Sequence, residues 1–243
     1  RKVCELMGEI VDITFDERVA QFSGNRIHFK TRLIEGKFPN CDPVAADSVP
    51  VVVTNDANAA AVGEMIFGGA KDMKDFIVIT LGTGLGAGVV SNGQIINGAH
   101  GFGGELGHTT VNYTNGRFCG CGKRGCLETY VSATGIKRTV YKLIADYTEP
   151  SELRSVSFDE LSPEMITKYA LKGDIIAKQA FEYTGRILGT KLADTVVHTD
   201  PEAIFIFGGL SQAGDLIFEP TKKHLEKHLM PIFKGKVSTY KTA

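Results

Sequence analysis

Between Glu105 and Glu128 the chain reads Glu105-Leu-Gly-His108, then, beginning eleven residues after His108, Cys119-Gly-Cys121-Gly-Lys-Arg-Gly-Cys126-Leu-Glu128. Cysteines spaced two and then five apart, with a histidine upstream, supply the four ligands that a tetrahedral zinc ion prefers. The intervening glycines let the segment fold into a tight knuckle, because glycine accepts positive φ without steric cost. Metal on His108, Cys119, Cys121 and Cys126 would close a rigid clip and bring Glu105, His108 and Glu128 near one another. The ion is then structural, and the acids at its borders are candidates for chemistry. The plainer alternative is a knuckle with surface carboxylates beside it, so the acids need support from elsewhere in the chain.

That support has to come from the remainder of the 243 residues, enough for one large or two small domains with a sizeable core. A formal net charge of −1 gives no electrostatic reason to expect a nucleic acid or an anionic membrane as partner. No apolar run approaches bilayer length and no secretory signal opens the chain. Of five cysteines, only Cys4 and Cys41 fall outside the knuckle, a usage that fits reduced thiols and a cytoplasmic location. The first residue is Arg1 rather than Met, which suggests an incomplete or trimmed chain.

Two stretches carry the support. Pro50-Val-Val-Val-Thr54 is β-branched and reads as a strand. It runs into Asn55-Asp56 and then a helix of good formers from Ala57 to Phe67, stopped by Gly68-Gly69. Side chains at a strand's carboxyl edge face the place where open α/β sheets bind ligands, although Asn55 or Asp56 could merely cap the helix. Phe76 to Leu81 is a buried-strand run. It leads into Gly82-Thr83-Gly84-Leu85-Gly86-Ala87-Gly88, a further strand, and the hairpin signal Asn92-Gly93. Because a strand follows the glycines, this is not a dinucleotide fingerprint, but exposed backbone N–H groups in such a hairpin can cradle phosphates.

The rest is scaffold. Val11, Ile13 and Phe15 alternate with polar residues, predicting one strand in an otherwise turn-rich opening, and His28 reads as a solvated surface residue. Gly98 to Gly104 forms a flexible loop delivering Glu105. A helix is expected from Leu127 toward Leu143, a polar loop over residues 145–161, and a short helix capped by Ser162 with Pro163 in its first turn. One long helix runs from Asp174 to about His198. Ala203 to Phe207 is a strand, Gly208-Gly209 a close-approach turn, and Gly214-Asp215 opens a last helix to about Met230.

Taken together, Val53-Thr-Asn55-Asp56 through Glu64, Leu81-Gly-Thr-Gly-Leu-Gly86, Glu105-Leu-Gly-His108, the knuckle to Glu128, and Ile206-Phe-Gly-Gly-Leu-Ser211 resemble the ROK family. The resemblance runs in family order over about Val49 to Gly214. That family comprises bacterial sugar kinases and sugar-sensing repressors of the actin/hexokinase-like ATPase (ribonuclease H-like) α/β fold, with two lobes around a cleft. The resemblance implies that residues 1–54 are a partial small lobe and residues 55–243 the large lobe. It implies Asp56 as general base, with Asn55, Glu105, His108 and Glu128 holding sugar hydroxyls. Gly82, Thr83, Gly84 and Gly86 would contact ATP phosphates, and Gly208 and Gly209 the adenosine, with Mg²⁺ bridging the phosphates and zinc in the knuckle. The expected partners are a sugar and ATP, in a homo-oligomer (dimer or tetramer).

The implied activity is ATP-dependent phosphorylation of a hexose at its primary hydroxyl, glucose first. The alternatives are N-acetylmannosamine, N-acetylglucosamine, mannose or fructose as substrate, or a repressor with a DNA-binding domain ahead of Arg1. One departure stands out: the family's opening Asp-x-Gly-Gly-Thr phosphate motif does not occur, and the closing helix looks curtailed at Ala243. Segments of the native protein are therefore expected to be missing, and the chain alone should turn ATP over poorly.

Overall fold

The computed structural model describes residues 20–23, 26–29 and 55–242. The chain divides into two units after Thr54. In the first unit, β1 (Ala20–Ser23) and β2 (Arg26–Phe29) pair antiparallel, with Ser23 opposite Arg26. The turn-rich reading of the opening missed this hairpin, although Gly24-Asn25 between two short apolar-containing runs is a two-residue hairpin signal. The strands expected at Val11–Phe15 and Pro50–Thr54 lie outside the described residues.

The second unit is built on a mixed sheet of order β5-β4-β3-β6-β7. Its strands are β3 (Phe76–Leu81), β4 (Leu85–Ser91), β5 (Gln94–Ile95), β6 (Ala203–Phe207) and β7 (Ser238–Lys241). β3 and β4 pair antiparallel, as do β4 and β5; β3 runs parallel to β6, and β6 to β7. The continuous apolar runs of β3 and β6 follow from burial on both faces. Phe76, Val78, Ala203 and Phe205 face one core, shared with α1 (Asp56–Ile66). Ile77, Ile79, Leu81, Ile204 and Ile206 face the larger core under α2 (Ala133–Asp146), α3 (Pro163–Leu171), α4 (Ile175–Thr199) and α5 (Asp215–His228).

Helix ends fall where polar caps dictate. Ser132, Ser162 and Asp174 each accept a hydrogen bond from a first-turn backbone N–H of α2, α3 and α4. The expected helix from Leu127 is therefore two elements: a 3-10 turn (Leu127–Thr129), then α2 beginning after its Ser132 cap. Residues 147–161 are not simply a polar loop, since Leu153 and Leu161 are fully buried beneath α2 and α3. The last helix stops at His228, two residues before the expected end. Helices α4 and α5 cross closely: a Cβ on Gly185 would lie 2.6 Å from Pro220 Cγ, and one on Gly189 2.2 Å from Thr221 O. Among the described residues no helix is long and apolar enough to cross a membrane.

Candidate active site

Three segments that are distant in sequence meet at the carboxyl end of β3. The first is the start of α1. Asn55 caps it, its Oδ1 accepting the Ala57 N–H at 2.8 Å, and Asp56 Oδ1 accepts the same N–H at 2.8 Å. Capping and exposure toward a cavity are thus one arrangement here, not competing ones. Glycines 86 and 88 permit it: a Cβ on Gly88 would sit 2.5 Å from Ala57 O, and one on Gly86 3.1 Å from Ala57 Cβ. Any side chain at those positions would lift α1 and Asp56 away from the hairpin.

The second segment delivers Glu105. Gly104 turns in the left-handed region (φ +87) beside Ala87 O, and a 3-10 turn (Leu106–His108) follows. The third is the Leu127–Thr129 turn carrying Glu128. Its Oε2 accepts the Leu85 N–H at 3.3 Å and its Oε1 lies 3.3 Å from Cys119 Sγ. Gly84 makes room for it, since a Cβ there would be 2.3 Å from Glu128 Oε2. Gly208 (φ +105) completes the rim by passing close against the Leu81 backbone.

The result is a cavity of about 470 Å³ lined by Asn55, Asp56, Glu105, Glu128, the Gly82–Gly86 hairpin and Gly208, with Thr80 and Phe207 contributed by the strand ends. None of its lining residues is cationic. Carboxylates that accept hydroxyl protons and glycine backbone share the lining, so the cavity can take a polyhydroxylated molecule beside an anion. A smaller cavity of about 240 Å³ shares Thr83, Gly84 and Glu128 with it and reaches Phe118, Ser132, Thr134 and Arg138.

Beside Glu128, one donor atom each from His108, Cys119, Cys121 and Cys126 lies within 4.8 Å of all the others. Cys119 Sγ is 3.6 Å from His108 Nδ1, and Cys121 Sγ is 3.6 Å from Cys126 Sγ. Tetrahedral zinc with metal–sulfur bonds of about 2.3 Å requires sulfurs about 3.8 Å apart, so the donor set fits that ion in both chemistry and spacing. Bridges at Thr110–Cys126 and Phe118–Arg124 hold the knuckle's arms together. Burial pushes the Cys119 thiol up to about 12 and also raises Cys126, whereas the backbone N–H of Lys123 lowers Cys121. A metal would reverse the first two, because the ligand is the thiolate. With Nδ1 toward the sulfurs, His108 Nε2 faces Glu105 Oε2 at 3.9 Å.

Of the residues singled out from sequence, Asn55, Asp56, Gly82, Thr83, Gly84, Gly86, Glu105, Glu128 and Gly208 line the larger cavity. His108 stands behind Glu105 and Glu128 rather than in the lining, because its Nδ1 is turned to Cys119. Gly209 is not in the lining either; it opens a 3-10 turn (Gly209–Ala213). Sequence reasoning missed Thr80 and Phe207. The available signal was their place at the ends of two apolar runs just ahead of Gly82 and Gly208, and the β3–β6 register sets both at the sheet's carboxyl edge.

The fold and cavity together define an actin/hexokinase-like domain with a mixed sheet and a cysteine-histidine cluster at its site. The chain belongs to the ROK family, whose model matches residues 41–243. It is 40% identical over 198 residues to a glucokinase of Halalkalibacterium halodurans, covering 80% of this chain and 59% of that one. A ROK family glucokinase from Streptomyces griseus, solved in complex with glucose and AMPPNP, superposes with TM-score 0.73 at 31% identity, covering 93% of this chain and 72% of that one. A ROK family transcriptional regulator, a homologue of the E. coli MLC protein, also gives TM-score 0.73, at 34% identity, over 82% of this chain and 49% of that one. The chain spans less than two thirds of the length of the first curated relatives it matches.

Proposed function

We propose that this chain is the larger part of an ATP-dependent hexose kinase that phosphorylates the primary hydroxyl of its sugar, with glucose the first expected substrate. The observation that carries the reading is the single cavity that holds Asp56, Glu105 and Glu128 against the glycine hairpin. Its relatives include glucokinases, one of them solved with glucose and a nucleotide analogue.

In this reading Asn55, Glu105 and Glu128 take sugar hydroxyls, and His108 donates from Nε2 while its Nδ1 serves the knuckle. Carboxylates that each accept hydroxyl protons give directional recognition that an apolar pocket lacks. Asp56, fixed at the first turn of α1, takes the proton of the attacking hydroxyl. Gly82, Thr83, Gly84 and Gly86 contact the phosphates of ATP, and Gly208 and Gly209 the adenosine. Phosphoryl transfer asks chiefly for positioning and charge stabilisation, which this backbone cradle supplies, with Mg²⁺ accompanying the nucleotide. Zinc on His108, Cys119, Cys121 and Cys126 would brace the turns that carry Glu105 and Glu128. Residues 1–54 would be part of a smaller lobe and residues 55–243 the larger one, in a cytoplasmic homo-oligomer.

The test is a coupled ADP-release assay on the full-length protein with glucose, mannose, fructose, N-acetylglucosamine and N-acetylmannosamine. ADP release with one of these, abolished by Asp56→Asn, supports the kinase; no turnover with any sugar overturns it. The similarity to a transcriptional regulator favours a second reading, a sugar-responsive repressor. DNA retardation by the full-length protein, reversed by sugar and without ADP release, would establish that one instead.

A further inference from the structure

Arg117 occupies an unusual place in this frame. It lies on the first arm of the cysteine loop, two residues before Cys119, with its guanidinium turned inward. Nη1 donates to Thr129 O at 2.8 Å and to Gly135 O at 3.0 Å, and Nη2 donates to Thr139 Oγ1 at 3.0 Å. The guanidinium lies over the Tyr130 ring, 4.4 Å from its centroid. The backbone takes part as well: Arg117 N–H donates to Tyr130 Oη at 3.2 Å, and Arg117 O accepts from Gly125 N–H at 2.9 Å. No carboxylate among the described residues pairs with it, and burial disfavours its charge. A half-buried cation satisfied by carbonyls, a hydroxyl and a ring is costly to place, so its contacts matter to what they hold.

What they hold is the turn carrying Glu128. That turn is three residues long and its preceding residue, Cys126, makes no side-chain cap. The Glu128 carboxylate is steadied by Leu85 N–H and Cys119 Sγ, both at 3.3 Å, with His108 Nδ1 at 3.9 Å, all of them from outside its own turn. Arg117 grips the next residue's carbonyl and ties it to the first turn of α2, so the base from which Glu128 projects is set against a helix rather than against the loop alone. We propose that Arg117 is a positioning residue for Glu128, fixing where that carboxylate meets a sugar hydroxyl. The proposal rests on the reading that Glu128 holds the sugar. A fork of N–H donors is required, because a single ammonium cannot span both carbonyls and the Thr139 hydroxyl.

The test is a double-substitution cycle on the full-length protein, reading glucose affinity by calorimetry, nucleotide affinity with AMPPNP, zinc content and thermal melting. Glu128→Gln alone should weaken glucose; if it does not, the reading of the site fails before Arg117 is at issue. Given that loss, Arg117→Met should weaken glucose roughly 10–100-fold, the scale seen when the partner orienting a ligand is removed, with AMPPNP affinity and zinc content unchanged. Arg117→Lys should fall between, and it carries the same cycle should the Met variant fail to fold. Arg117→Met combined with Glu128→Gln should bind glucose no more weakly than Glu128→Gln alone. Additive losses, an equal loss of AMPPNP affinity, or unchanged glucose affinity in the Arg117 variants would overturn the proposal.

Discussion

Gly84→Ala tests where the Glu128 carboxylate must sit while leaving that carboxylate chemically intact, with glucose read in the absence of nucleotide. Gly84 is not among the positive-φ glycines, so alanine meets no backbone strain there. Its new Cβ would, however, stand 2.3 Å from Glu128 Oε2, where ordinary contact begins near 3.4 Å. The carboxylate must therefore retreat by about 1 Å, a misplacement that can cost on the order of 100-fold in a site built on geometry. That factor corresponds to ~2.7 kcal/mol. The Leu85 N–H bond to Oε2, already 3.3 Å long, would be lost in the same move. Expected for Gly84→Ala are a glucose affinity reduced about 100-fold by calorimetry, a melting temperature close to that of the parent, and full zinc content. Parent-like glucose binding by Gly84→Ala, alongside clear weakening in Glu128→Gln, would refute the claim that this carboxylate works only where Gly84 lets it sit.

Asp56→Asn should leave glucose affinity nearly intact and lower kcat by about 10²–10⁴, because Asn55 still caps α1 through Ala57 N–H; steady-state ADP release measures it. Cys126→Ser, at a fully buried member of the proposed zinc site, should strip zinc as read by elemental analysis and lower the melting point, as should a chelator acting on the parent. Leu153→Ala should cost about 2–5 kcal/mol in urea unfolding, since that side chain is fully buried in the larger core. The Ser91 hydroxyl at 2.7 Å and the Asn92 N–H at 3.0 Å hold the Asp75 carboxyl below the usual range. A depressed folded-state value means this stabilisation is present at neutral pH and is lost as pH falls through it. Ser91→Ala should raise the Asp75 midpoint in a carboxyl NMR titration and start the acid-side loss of stability at higher pH.

Much of this molecule could be read along the chain because the signals are local. The histidine and cysteines that could hold a metal sit within one short segment, whose spacing alone limits how they can converge. β3 and β6 announce burial on both faces by unbroken apolar runs, and α3 and α4 announce their starts through Ser162 and Asp174. Leu127 was harder: its apolar neighbours suit a helix, but a cap at Ser132 restarts the backbone and makes two elements of one. Leu153 and Leu161 were hidden among polar residues, since two isolated leucines have no period to display.

What the residues alone determined was the inventory: a cysteine-histidine set with metal-ligand spacing, a glycine hairpin, an acid at the head of a helix, and the order in which they come. Which faces meet was left to the tertiary structure. Only there does His108 turn Nδ1 to the sulfurs and stand back from the cavity, Glu128 lie against the missing side chain of Gly84, and Arg117 reach across to α2. Each of these depends on residues eleven or more positions apart coming within contact distance, and the geometry of that approach is decided by tertiary packing rather than by any preference of neighbouring residues.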